Sequence, residues 1–103
     1  MSNLKYIYQR CENDKSVIQE YCEHFAEKSL EELVDAFNQQ VKCGIVGVHR
    51  QALYLIALRK EFLIRIEQTP IIVDDNKIID IKNEIEVLYE ADGICHIKEK
   101  DDI

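Results

Sequence analysis

The sequence predicts an α+β domain: three N-terminal helices packed on a small, mostly antiparallel C-terminal sheet. Two changes along the chain and one run of residues predict it. Before Pro70, the only proline, apolar residues recur every three or four positions, as on one face of a helix. After it they fall into short β-branched runs separated by turn-forming residues. Between these halves, Leu53-Tyr54-Leu55-Ile56-Ala57-Leu58 is apolar on every side of a helix and must be wrapped by other elements. The 103 residues, 47% hydrophobic and 32% charged, suit one folded domain spanning 1–103 and exclude a disordered chain.

The first helix is expected over about Asp14 to Lys28. Val17, Ile18, Tyr21, Cys22 and Phe25 form its stripe, and Asn13 or Asp14 can cap it. The second starts at Ser29. Ser29-Leu30-Glu31-Glu32 fits a capping box, in which the hydroxyl meets the Glu32 N–H and the Glu32 carboxylate reaches back. Leu30, Leu33, Val34, Phe37 and Val41 make its apolar face. The third runs from about Val48 to Ile66. Arg59, Lys60 and Arg65 lie toward its C-terminal end, where cations suit the dipole. This helix is expected between the sheet and the other two.

Ile71-Ile72-Val73 and Ile78-Ile79-Asp80-Ile81 then flank Asp74-Asp75-Asn76-Lys77, a turn cluster. Ile85 to Tyr89 reads as a strand, although Glu84 to Glu90 also fits a short helix through Ile85, Leu88 and Tyr89. Its β-branched residues, and the Asp92-Gly93 turn leading to Ile94-Cys95-His96-Ile97, favour a hairpin strand. Lys98 to Ile103 is expected to fray, and Tyr6 and Tyr8 lie on an added edge strand, on a patch for a partner or on a packed tail.

Formal net charge is −7. Residues 11–40 carry eight acids and two bases, 67–103 eleven acids and four bases, and 41–66 five bases and one acid. Such a molecule repels nucleic acid and anionic membranes and suits a basic partner. No window is apolar enough for a membrane span and no secretory signal opens the chain, so a cytoplasmic protein is expected. Cys11, Cys22, Cys43 and Cys95 then read as reduced thiols, buried as small hydrophobes.

Local rules break at Lys42 to Arg50. His49 and Arg50 sit in the first turn of the third helix, where the dipole disfavours cations, and Gly47 is its nearest cap. Lys42, Cys43, Gly44, Gly47, His49 and Arg50 therefore form a candidate anion site. The competing reading pairs Arg50 with an acid and gives the glycines a C-cap and a turn. Cys43 and His49 also suggest a thiol nucleophile and base, although no residue to orient the histidine is identifiable. Gly44-x-x-Gly47 has the outline of a KH loop but holds Ile45 and Val46 where basic residues are usual. Cys22/His24 and Cys95/His96 lack zinc spacing, and Asp74-Asp75-Asn76 lacks the length of a calcium loop. Phosphate loops, dinucleotide fingerprints and serine elbows are missing, so no cofactor or metal is expected.

Phe37-Asn38-x-Gln40-Val41, the glycine loop, and Arg50-x-x-x-Tyr54-Leu55-x-Ala57-Leu58-Arg59-x-Glu61-Phe62 together resemble a group of small uncharacterised bacterial proteins. These occur on mobile elements, including integron gene cassettes. The resemblance covers about 26 of the 103 residues. Related chains carry a tryptophan in the loop, and this one has none. It implies a compact bacterial cytoplasmic protein and no particular activity. Three functions are carried forward. The first is a non-catalytic acidic module that binds a protein partner or its own copy, inhibitor- or immunity-like. The others are a small-anion or metabolite binder at 42–50, and a thiol enzyme through Cys43 and His49.

Overall fold

The computed structural model describes residues 5–7, 12–45, 49–74, 78–81, 83–91, 93 and 95–100. Three helices, α1 (Asp14–Ala26), α2 (Leu30–Cys43) and α3 (His49–Ile66), follow a short strand β1 (Lys5–Ile7). Strands β2 (Ile72–Val73), β3 (Ile78–Asp80), β4 (Ile85–Tyr89) and β5 (Cys95–Glu99) complete the chain. This is the α+β arrangement expected, with each helix within two residues of its predicted bounds.

The strands form two antiparallel sheets, β1-β3-β2 and β4-β5. The segment containing Tyr6 supplies the added edge strand, with Tyr6 opposite Ile79. Tyr8 lies outside the described residues. Residues 85–89 are strand and not helix, in register with Cys95–Glu99. Between β4 and β5 the Gly93 N–H donates to the Glu90 carbonyl (3.0 Å) and Gly93 stands at φ 87°, as the expected turn requires, while Asp92 and Ile94 lie outside the described residues. Only glycine adopts that φ without strain. One detail corrects the expectation: the strand runs through Lys98 to Glu99 rather than fraying, and residues 101–103 lie outside the described residues. Lys98 and Lys100 lie 3.4 and 3.5 Å from Glu86 and Glu84, and the Lys100 N–H donates to the Glu84 carbonyl. In the β2–β3 turn, Asp74 Oδ1 accepts the Ile78 N–H at 2.9 Å, while residues 75–77 lie outside the described residues.

One core joins all three helices to both sheets. Phe25, Leu33 and Phe37 meet Leu55, Leu58 and Phe62 of α3, and beyond them Ile71, Ile79, Ile81 and Ile85. Residues 53–58 of α3 are all buried or half-buried, which is the wrapping their composition demands. The cysteines depart from expectation. Cys22 and Cys95 are only half-buried and Cys43 is exposed; all three are free thiols. Cys11 lies outside the described residues.

Polar side chains reach across this core to hold its elements in register. Asn38, 6% exposed, donates from Nδ2 to the Ile85 carbonyl (2.9 Å) and accepts the Ile85 N–H on Oδ1 (2.8 Å). It does for β4 what a neighbouring strand would do. The Ser29–Glu32 capping box forms as read, with bonds of 3.1 and 2.9 Å. It holds the Glu32 carboxyl below its ordinary range, chiefly through the Ser29 backbone N–H.

Helices α1 and α3 run in the same direction, because both pairs of like ends touch. At the N-terminal ends the buried Asp14 carboxylate meets His49 Nε2 at 2.7 Å. At the other ends Arg65 donates to the Phe25, Ala26 and Lys28 carbonyls at 3.2, 3.1 and 2.6 Å. It also binds Glu61 Oε2 at 2.6 Å. Parallel dipoles repel side by side. An acid at the positive ends and a cation at the negative ends offset that repulsion.

Candidate functional site

Of the six residues predicted for the anion site, the five described divide between the end of α2 and the start of α3. Gly44 closes α2 as its C-cap at φ 72°, its N–H donating to the Gln40 carbonyl at 2.9 Å. That positive φ is the reason for glycine there. Lys42 and Cys43 occupy the last turn of α2 with exposed side chains. His49 and Arg50 open α3. Gly47 lies outside the described residues.

A depression of about 490 Å³ does lie beside His49 and Arg50. Its other walls are Glu12, Asn13, Asp14, Val17 and Leu53; Lys42, Cys43 and Gly44 take no part. Asp14 thus brings a carboxylate to the two cations. His49 is held by that carboxylate, and Arg50 donates from Nε to the Tyr21 hydroxyl at 3.0 Å. The Arg50 guanidinium also stands over the Tyr21 ring, 5.7 Å from its centroid. The competing reading paired Arg50 with an acid; its partner is a tyrosine, and the acid pairs with His49 instead. These contacts lower the positive potential an anion would need.

Sequence reasoning missed Asp14, Tyr21 and Gln51. Gln51 Nε2 donates to Gln40 Oε1 (2.9 Å) and to the Gly44 carbonyl (3.0 Å), tying the entry of α3 to the exit of α2. For Cys43, the nucleophile reading needs His49 as its base. The structure places the imidazole Nε2 on Asp14, from the α1 side. Among the described residues no group of three or more His, Cys, Asp or Glu side chains could hold a metal ion.

Two further depressions occur. One, of about 310 Å³, lies between α1 and α2 over Phe25 and Tyr54, rimmed by Lys28, Glu32 and Asp35. Burial, with Tyr21 nearby, pushes the Tyr54 phenol above its ordinary range. The other, of about 520 Å³, is a groove between β2 and the β4–β5 hairpin, lined by Gln68, Pro70, Ile72, Ile85, Ile97, Lys98 and Glu99 among others.

The charge pattern is the most distinctive surface feature. Of the eight acids in residues 11–40, Asp14 is buried and the other seven are exposed: Glu12, Glu20, Glu23, Glu27, Glu31, Glu32 and Asp35. Meanwhile Arg50 and Arg65 of α3 are turned onto α1. Two cations of α3 are thus engaged on α1, while Lys15 and Lys28 remain among these acids in sequence. Among the described residues no helix is long and apolar enough to cross a membrane. Comparison with protein-family models, with curated proteins and with solved structures finds no match to this chain.

Proposed function

We propose that this protein is a non-catalytic acidic module that binds a basic protein partner. The supporting observation is the excess of acid in residues 11–40, where seven exposed carboxylates face only Lys15 and Lys28 as bases, while Arg50 and Arg65 of α3 are hydrogen-bonded to Tyr21, to Glu61 and to backbone carbonyls. An excess of one charge on one face raises the association rate of an opposite partner and suppresses like-charged ones. A small acidic chain of this kind suits an inhibitor- or immunity-like role in a bacterial cytoplasm. The resemblance to mobile-element proteins points the same way.

The test is binding to a basic probe, decalysine, between 50 and 300 mM salt. The proposal expects affinity to fall steeply with salt, and to be lost when Glu20, Glu27 and Glu31 are replaced by lysine. Binding that is absent at 50 mM, or insensitive to salt, refutes it. The anion-site alternative predicts thermal stabilisation by phosphate or nucleotides that Arg50→Ala abolishes. The thiol-enzyme alternative predicts that Cys43 alkylates faster than a free model thiol at neutral pH.

A further inference from the structure

The β4–β5 ladder fixes which backbone groups face outward. The Lys100 N–H bonds to Glu84, so the register makes 84/100, 86/98 and 88/96 the bonded pairs. The N–H and C=O groups of residues 85 and 87, and of 95, 97 and 99, therefore point away from the partner strand. The two outer edges are finished differently. On β4, Asn38 takes both outward groups of Ile85 from a buried position. On β5, the Ile97 N–H is held by one acceptor, the half-buried Gln68 Oε1 at 3.1 Å. Among the described residues β5 has one strand neighbour, β4.

The 520 Å³ groove runs beside that edge. Its apolar wall is Pro70, Ile72, Ile85 and Ile97, and Ile72 is 46% exposed despite its size. A side-chain carbonyl standing where a strand's carbonyl would sit, next to an open apolar wall, describes the missing occupant: extended main chain with alternate apolar side chains. The C-terminal third of the sequence, residues 67–103, carries eleven acids and four bases. That charge favours a basic segment, and it sets a second copy of this chain against itself.

We infer that the outer edge of β5 receives an extended basic segment of the partner by strand addition, its carbonyl displacing Gln68 from the Ile97 N–H. The inference rests on the protein-binding reading above and names where the partner sits. Lys98 and Glu99 both line the groove, and the Lys98 ammonium lies 3.4 Å from Glu86, which offsets its charge toward an incoming basic segment.

The experiment uses a capped octapeptide of alternating valine and lysine, titrated into ¹⁵N-labelled protein at 50 mM salt. The largest amide shifts are expected at Ile97 and Glu99. Gln68→Ala removes the competitor and should tighten binding at least threefold, which loss of a merely structural contact would not do. Ile72→Lys, at an already exposed position, should weaken it at least fivefold with amide dispersion elsewhere unchanged. Shifts confined to Glu20, Glu27, Glu31 and Asp35 would overturn strand addition and leave the acidic-module reading standing. No shift anywhere would overturn both. An unchanged or weaker affinity for Gln68→Ala would refute displacement, and a dimer in sedimentation without peptide would assign the edge to a second copy.

Discussion

Replacing Asn38 by alanine removes both hydrogen bonds to Ile85 and leaves a buried backbone N–H and C=O without partners. Each such bond contributes roughly 1 kcal/mol net, and each stranded group costs about 1–3 kcal/mol. The two bonds are short and the side chain is 6% exposed, so water cannot easily substitute. A loss of about 3 kcal/mol is expected. For a chain of 103 residues, an unfolding entropy of about 2.1 cal/mol/K per residue turns that into a fall in Tm of roughly 10–15 °C. Urea unfolding with an unchanged slope is the primary assay. Native-state exchange of the Ile85 amide is the second, and it should accelerate more than the amides of α1. Asn38→Asp separates the two bonds, because a carboxylate still accepts the Ile85 N–H but repels the Ile85 carbonyl. Its deficit should shrink as pH falls below about 4, once the introduced acid is protonated and can donate. Gln39→Ala, at the neighbouring exposed position, should cost under about 0.5 kcal/mol. A cost below about 1 kcal/mol for Asn38→Ala, or unchanged Ile85 exchange, would refute the view that α2 holds β4 through this amide.

Arg65→Met should destabilise by about 3–5 kcal/mol, because it strands the buried Glu61 carboxylate and the Phe25, Ala26 and Lys28 carbonyls; adding Glu61→Leu should recover part of the loss in the same urea assay. The Glu32 carboxyl is depressed in the folded state, so its contribution is present above the unfolded value near 4.3 and is lost as pH falls through the folded one. Glu32→Gln should accordingly flatten the acid limb of the stability profile between about pH 5 and 3, whereas Ser29→Ala, which keeps the backbone N–H, should flatten it only in part. Tyr54 is raised, so its contribution is complete below the unfolded value near 10 and is lost as pH climbs through the folded one; Tyr54→Phe should flatten that alkaline limb. Glu67 holds φ 56° just after α3, its N–H on the Leu63 carbonyl, and Glu67→Gly should stabilise by about 0.5–1 kcal/mol; a destabilised variant would mean the left-handed geometry is not strained.

What could be read from the sequence was local. The Ser29–Glu32 box, the Gly44 C-cap and the β4–β5 turn each depend on residues within a few positions, and each formed. The apolar run from Leu53 to Leu58 announced a wrapped helix because no face of it could tolerate water. The misreadings all involve partners far apart in sequence. Arg65 was read as serving the dipole of its own helix, yet it binds carbonyls at the end of α1 some forty residues earlier. His49 was read as an uncompensated cation, and its carboxylate lies thirty-five residues away. Asn38 had no local signal at all, since its partner is forty-seven residues downstream. Local patterning fixes which elements form. It says little about which polar groups meet when those elements pack.

The acid excess of residues 11–40 is greatest when Arg50 and Arg65 are held by their hydrogen bonds to Tyr21 and Glu61. Side-chain Nε–H resonances report that directly. Arg65 Nε donates to Glu61 and Arg50 Nε to the Tyr21 hydroxyl, so both should give sharp, slowly exchanging ¹⁵N–¹H signals at neutral pH. Glu61→Gln and Tyr21→Phe should broaden them one at a time. If both signals are lost to rapid solvent exchange in the unmodified protein, the guanidinium groups stand free to offset those acids, contrary to this account.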